Sequence, residues 1–209
     1  MSTPLRRRSS TPVPPESSTP AMERAWIEGI VAGDESAFEA LFRCYNRELF
    51  RFALKMTGSP DDAEDVVQAV FVAVWQNRAS WVIRSGLRVY LFAAVRNRIL
   101  QDIRNGQVRR RLEPDVLTFS TGYRSAPSRS PDQMVQQADF AAALAQAVAA
   151  LPPRCREAFV LTREHGMTYA EAAATMGISP HTVMVQIGRA LAALRKSLAP
   201  FLVALLLVR

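Results

Sequence analysis

Apolar residues along this chain recur at three- and four-residue spacing and never alternate over a useful length, so every element they predict is a helix. Phe38, Leu41, Phe42, Tyr45, Leu49, Phe52 and Met56 form one stripe of a helix that Asp34 can cap and Gly58 can end. Ser59-Pro60 then supplies a new N-cap with proline at the first helical position. The next helix places Ala63, Val66, Val67, Val70, Phe71, Val74 and Trp75 on one face, which predicts Trp75 in the core. Its first turn holds Asp61, Asp62, Glu64 and Asp65, where the helix dipole favours negative charge. A loop over residues 77–86 leads to a third helix ending near Asn105.

The second half has the same period and sharper punctuation. Ser130-Pro131-Asp132 opens an Ala-rich helix to about Ala150, Leu151-Pro152-Pro153 breaks it, and 154–164 resumes it. Thr168-Tyr169-Ala170-Glu171 is a capping box that opens a short helix over 169–176. Gly177-Ile178-Ser179 makes a tight turn, and Ser179-Pro180 starts a longer helix with Val183, Ile187, Ala190, Leu191 and Leu194 on its buried side. Two helices joined by a three-residue turn containing glycine is the helix-turn-helix pattern.

Two stretches lack the period. Residues 1–20 contain thirteen Pro, Ser or Thr, which predicts a disordered tail. Residues 106–131 read as a flexible basic linker rich in Pro, Gly, Ser and Arg. The expected organisation is all-α: tail 1–20, helical domain 21–105, linker 106–131, helix-turn-helix domain 132–199, and an apolar tail over 200–209. In that tail, residues 201–208 are uniformly apolar. It reads either as a strap on the last domain or as a cover over a partner-binding surface.

Composition narrows the function. The 209 residues are 49% hydrophobic and carry a net charge of +7. Cys44 and Cys155 are distant and, with His165 and His181, form neither a zinc pattern nor a disulfide framework. No convergent acid, base, nucleophile or metal set appears, which argues against an enzyme and against a cofactor. The polar start and the lack of a membrane-length apolar run predict a cytoplasmic protein. Residues 21–105 hold eleven basic and eleven acidic side chains, whereas 106–131 hold five basic and two acidic. Within the first domain the acidic cluster at 61–65 lies upstream of Arg84, Arg88, Arg96, Arg98 and Arg104, giving an acidic end and a basic end. A phosphate backbone suits the basic end.

On the last helix His181, Thr182, Val185 and Arg189 lie opposite the buried stripe, with Gln186 at its margin. Such residues can read base edges, and Val185 can meet a thymine methyl. On the third helix Asn97, Gln101 and Arg104 share a side with Tyr90, a set suited to bases and phosphate. These features alone also fit a stand-alone helix-turn-helix regulator, or a helical adaptor that has lost DNA binding.

Taken together, Asp61-Asp62-Ala63-Glu64-Asp65-Val66-Val67-Gln68-Ala69-Val70-Phe71, Tyr90-Leu91-Phe92-Ala93-Ala94-Val95-Arg96-Asn97, Leu151-Pro152-Pro153-Arg154-Cys155-Arg156-Glu157 and the stretch from Thr168 to Leu194 resemble a bacterial RNA polymerase sigma factor of the extracytoplasmic-function group. Ile178-Ser179-Pro180-His181-Thr182-Val183 by itself also resembles LuxR-type regulators. The sigma resemblance implies a non-enzymatic initiation factor that binds core RNA polymerase through the beta-prime clamp and the beta flap. It implies that Asp61, Asp62, Glu64, Asp65, Gln68 and Phe71 meet the clamp. Arg84, Arg88, Tyr90, Arg96, Asn97, Gln101 and Arg104 would bind the minus-ten element. Thr168, Ser179, His181, Thr182, Val185, Gln186 and Arg189 would bind the minus-thirty-five element. It further implies promoter DNA as a partner, and control by an anti-sigma factor or a self-inhibitory tail.

Departures from the family pattern occur at Ala69, where Glu is usual, and at Met184, Val185 and Gly188 in the recognition helix. The linker can reach between two promoter elements only if drawn out. Its relaxed span is ~28 Å, its extended span ~85 Å, and two DNA turns cover ~70 Å.

Overall fold

The computed structural model describes residues 18–106, apart from Val82 and Arg84, and residues 131–207, the last as backbone alone over 131–139 and 200–207. Eight α-helices account for most of these residues, and no strand occurs among them. The fold is all-α.

The first helix, α1 (Pro20–Val31), carries none of the stripes identified in the sequence. It begins with the same grammar as Ser59-Pro60: the Thr19 side chain accepts from the Met22 N–H, and Pro20 stands at the first helical position. The cap brings residues 18–20 into the folded part, so the sequence-based tail boundary at residue 20 falls inside an ordered element. Ser18 Oγ hydrogen-bonds both Glu23 and the Tyr45 hydroxyl at 2.7 and 2.8 Å.

Helix α2 (Glu35–Thr57) starts at Asp34, whose carboxylate accepts from the Ser36 N–H, and stops at Gly58 in the left-handed region (φ 77°). Its buried side is Ala37, Leu41, Tyr45, Leu49, Phe52, Ala53 and Thr57. The seam is rotated from the predicted stripe, leaving Phe38 and Phe42 at its margin. Helix α3 (Pro60–Gln76) buries Ala63, Val66, Val67, Val70, Phe71 and Val74. Trp75 falls outside that buried set, contrary to the core placement read from its period. It lies against Phe38 at 5.1 Å with the Arg78 guanidinium over its ring at 4.4 Å.

A 3-10 turn, Arg78–Ser80, precedes α4 (Leu87–Arg104), which packs on α2 and α3 through Leu87, Leu91, Phe92, Val95 and Ile99. Of the linker expected over 106–131, residues 107–130 lie outside the described residues, as do Arg84 and residues 1–17, while Gly106 forms a turn and Pro131 already opens the next helix.

After the linker come α5 (Pro131–Ala149), α6 (Pro153–Phe159), α7 (Tyr169–Met176) and α8 (Pro180–Leu207). The segment expected as one helix over 154–164 changes character: Val160–Glu164 is a π-helical turn, closed by the His165 N–H donating to Val160 O at 3.1 Å. The extra residue per turn re-aims the downstream chain and turns His165 toward the first domain. Helix α8 continues through Pro200 to Leu207. Up to Leu207 the apolar segment is therefore an extension of the recognition helix.

The two helical halves touch. Helix α4 packs on α7, and α2 meets α6 and the π-helical turn. One apolar cluster runs from Ile30 to Leu194 across both halves.

Candidate functional site

Three surfaces gather the residues singled out in the sequence. On α3, Asp61, Glu64, Asp65 and Gln68 are exposed and Asp62 is partly so. Phe71, grouped with them by resemblance, is buried and holds its neighbours instead: its ring meets Phe42 at 4.8 Å and Phe38 edge-on at 6.1 Å. Phe38, Phe42, Phe71, Val72 and Trp75 line an apolar groove next to the acidic turn. With Val72 46% and Phe42 38% exposed, this is a patch that a partner can bury.

The second surface is the helix-turn-helix. The capping box is complete: Thr168 Oγ1 accepts from the Glu171 N–H, and the Glu171 carboxylate accepts from the Thr168 N–H at 2.8 Å. Those bonds, made to the charged form, hold the Glu171 carboxyl below the usual glutamate range. Gly177 ends α7 in the left-handed region (φ 65°). Ser179 Oγ then accepts from the Thr182 N–H at 3.1 Å and caps α8. Behind the turn, Val183, Ile187, Ala190 and Leu194 are buried, while His181, Val185 and Arg189 are exposed and Thr182 is partly so. Gln186 is half-buried, with its carbonyl accepting from the Cys155 thiol at 3.1 Å. Burial pushes that thiol up, which suits a packing cysteine.

The third surface, on α4, separates into two faces. Asn97, Gln101 and Arg104 are exposed, the last with its Nε donating to the Leu100 carbonyl. Tyr90 is half-buried against Trp81, ring centroids 5.7 Å apart. Arg88 and Arg96 face the other half of the chain. Arg96 is buried with its Nε on the Glu157 carboxylate of α6, and its Nη1 donates to Asn97 Oδ1 at 3.2 Å. Arg154 approaches the second Glu157 oxygen at 3.6 Å. Burial pushes the Glu157 carboxyl up, and the positive charge of Arg96 and Arg154 only partly offsets it.

Arg88 donates to both the Glu48 carboxylate and the His165 carbonyl. His165 Nδ1 lies 3.2 Å from the same Glu48 oxygen, so this nitrogen carries the proton, because an ionised carboxylate only accepts. Burial pushes the Glu48 carboxyl up, but the bonds from His165 and Arg88 outweigh it and the net shift is down. The His165 ring packs against Phe92 at 4.9 Å and Phe52 at 6.0 Å. Lys55 on α2 reaches Glu164 at 3.0 Å. The pairings of Glu48, Glu157 and His165 carry no signal in the sequence, because each partner lies far away along the chain.

The Sigma-70 region 2 family matches residues 41–109, and the Sigma-70 region 4 family matches residues 141–194. The ECF RNA polymerase sigma factor SigF of Caulobacter vibrioides is 31% identical over 78% of this chain and 86% of its own length. The chain belongs to the extracytoplasmic-function group of RNA polymerase sigma factors. Another member, SigE of Mycolicibacterium smegmatis, is 29% identical over 80% of this chain, and the match spans only 65% of SigE. Among solved structures, the sigma factor RpoE of Bartonella quintana, in complex with the anti-sigma factor NepR, superposes with a TM-score of 0.57 at 26% identity. That superposition covers 78% of this chain and 96% of RpoE. As a sigma factor, the chain binds core RNA polymerase and directs promoter recognition and transcription initiation. Among the described residues no helix is long and apolar enough to cross a membrane.

Proposed function

We propose that the three surfaces divide the work of initiation. The acidic turn of α3 (Asp61, Asp62, Glu64, Asp65 and Gln68) and the apolar groove beside it dock on the beta-prime clamp, with Phe71 shaping the groove from beneath. Helix α4 binds the opened minus-ten strand through Asn97, Gln101 and Arg104, with Arg84, Arg88, Tyr90 and Arg96 completing the set. The helix-turn-helix reads the minus-thirty-five element through His181, Thr182, Val185, Gln186 and Arg189, with Thr168 and Ser179 near the phosphates, and the same domain meets the beta flap. The protein performs no reaction of its own, takes no cofactor and works in the cytoplasm, where the polymerase supplies the chemistry. By analogy with the NepR complex of RpoE, an anti-sigma factor holds it inactive.

The supporting observation is the recognition helix itself: exposed His181, Val185 and Arg189 stand on a rear fixed by Val183, Ile187 and Ala190 and on a start capped by Ser179. Run-off transcription with core polymerase tests the scheme. Each base contact is worth about 1–3 kcal/mol, so Asn97→Ala and Arg189→Ala are each expected to lower promoter output by roughly 5- to 150-fold. Polymerase binding should stay intact in both. Full output from both variants would refute the assignment of α4 and α8.

A further inference from the structure

Helix α2 carries charge that none of the three surfaces uses. Arg43, Arg47, Arg51 and Lys55 follow one another at four-residue intervals, so they stand in one row along the helix. The three arginines are exposed, on the side away from the buried seam of Leu41, Tyr45, Leu49 and Phe52. Arg43 meets Glu39, an i,i+4 pair whose side chains are 74% and 61% exposed, and Lys55 reaches Glu164. Arg47 and Arg51 have no hydrogen-bond or ion-pair partner among the described residues. The one carboxylate between residues 40 and 57, Glu48, is engaged by Arg88 and His165.

Such a row is unfavourable in water. Like charges at i,i+4 repel and destabilise a helix, whereas a solvated face intersperses both signs. A polyanion laid along the row removes that repulsion. The spacing selects among polyanions. Four helical residues rise ~6 Å, and phosphates on one strand of a duplex advance ~3.4 Å each, so every second phosphate recurs at ~6.8 Å. Arg43, Arg47 and Arg51 therefore stay close to register with a phosphate row over ~12 Å. All three are arginines, whose planar fork fits phosphate oxygens better than an ammonium does. An acidic peptide offers no such fixed spacing, and the known partner of a sigma factor is duplex promoter DNA.

We propose that Arg43, Arg47 and Arg51 of α2 grip the phosphate backbone of the promoter duplex, a DNA contact beyond α4 and α8 that adds affinity and fixes position without reading sequence. The grip requires only that this sigma factor binds promoter DNA. It does not depend on which element α4 or α8 contacts.

The test measures binding of the full chain to a fluorescein-labelled mixed-sequence duplex of about 30 base pairs, by anisotropy, from about 50 to about 200 mM salt. Wild type is compared with Arg47→Gln/Arg51→Gln, with Glu39→Gln, and with Arg24→Gln, an exposed arginine on α1. Circular dichroism checks that the variants keep their helices, and co-elution with core polymerase is followed in parallel. Loss of two phosphate contacts is expected to flatten the slope of log K against log salt by about 2 and to weaken binding roughly tenfold or more near 0.15 M. Glu39→Gln releases Arg43 from its carboxylate and should bind a few-fold more tightly, a gain that a folding defect cannot produce. Arg24→Gln should keep the wild-type slope, and all variants should still join the polymerase. A wild type that does not bind the duplex, or a double variant with the wild-type slope, would overturn the proposal. Loss of polymerase binding at an unaltered slope would also overturn it, and would make the row a contact for an acidic protein surface instead.

Discussion

Two glycines show how the surroundings of one residue set the sign of a mutation. Alanine is the better helix former by ~1 kcal/mol, so Gly→Ala inside a helix ordinarily stabilises. At Gly188 on α8 a new Cβ meets nothing within 4 Å, and the ordinary rule holds. Gly188→Ala is expected to raise the melting temperature by a few degrees, in line with up to ~1 kcal/mol. At Gly29 on α1 the new Cβ would sit 2.7 Å from the Ala37 Cβ on α2, a distance at which one helix must move. Gly29→Ala should therefore lower the melting temperature. Thermal denaturation of the pair decides it, and two shifts of the same sign would mean that α1 does not pack closely on α2 at this crossing.

At the level of elements, the segments most easily read were those whose ends carry local chemistry. Asp34, Ser59, Thr168 and Ser179 each accept a backbone N–H two or three residues on, so cap and helix share one short stretch of chain. Helix α1 has the same start at Thr19-Pro20 but buries only Ile30, too little apolar pattern to announce a helix. The π-helical turn has no residue signature at all, since Val160–Glu164 would fit an ordinary helix equally well. Phe38, Phe42 and Trp75 have helical spacing, yet spacing cannot separate a core seam from a groove kept open for a partner.

The capping box of α7 also predicts a pH dependence. A carboxyl lowered in the folded state contributes stability that is complete above its unfolded value and fades as pH falls through the folded one. Glu171→Gln keeps an acceptor oxygen but loses the charge, so it is expected to melt below wild type at neutral pH, by about 0.3–1 kcal/mol, with the gap narrowing in acid. Melting curves from neutral pH downward measure it; a gap that widens in acid would contradict the Thr168–Glu171 bonds.

For the whole molecule, the contact between the halves was invisible in the sequence because Arg96 and Glu157 are 61 positions apart and neither shows its partner in any periodicity. The basic end of the first domain was legible as charge, but which arginines are free and which are paired depends on how the domains meet. Intrinsic fluorescence offers a clean probe of that meeting. All three tryptophans, Trp26, Trp75 and Trp81, lie in the first domain. A urea titration followed by their emission therefore reports α1–α4, and Glu157→Gln in the second domain registers only through the contact. The midpoint should fall in that variant and stay put in Ser179→Ala, which removes the cap of α8, a helix packed on α5, α6 and α7. An unmoved midpoint in Glu157→Gln would mean the two halves unfold without reference to each other.

Helix α8 runs 28 residues, about 42 Å at ~1.5 Å per residue, with Pro200 in its interior. One end presents the groups assigned to the minus-thirty-five bases, and the other is a greasy stretch beyond Pro200. Pro200 has no N–H to offer the Lys196 carbonyl, which leaves a soft joint between the two ends. A body that clasps the far end therefore bends the helix at this joint before it turns the end assigned to DNA.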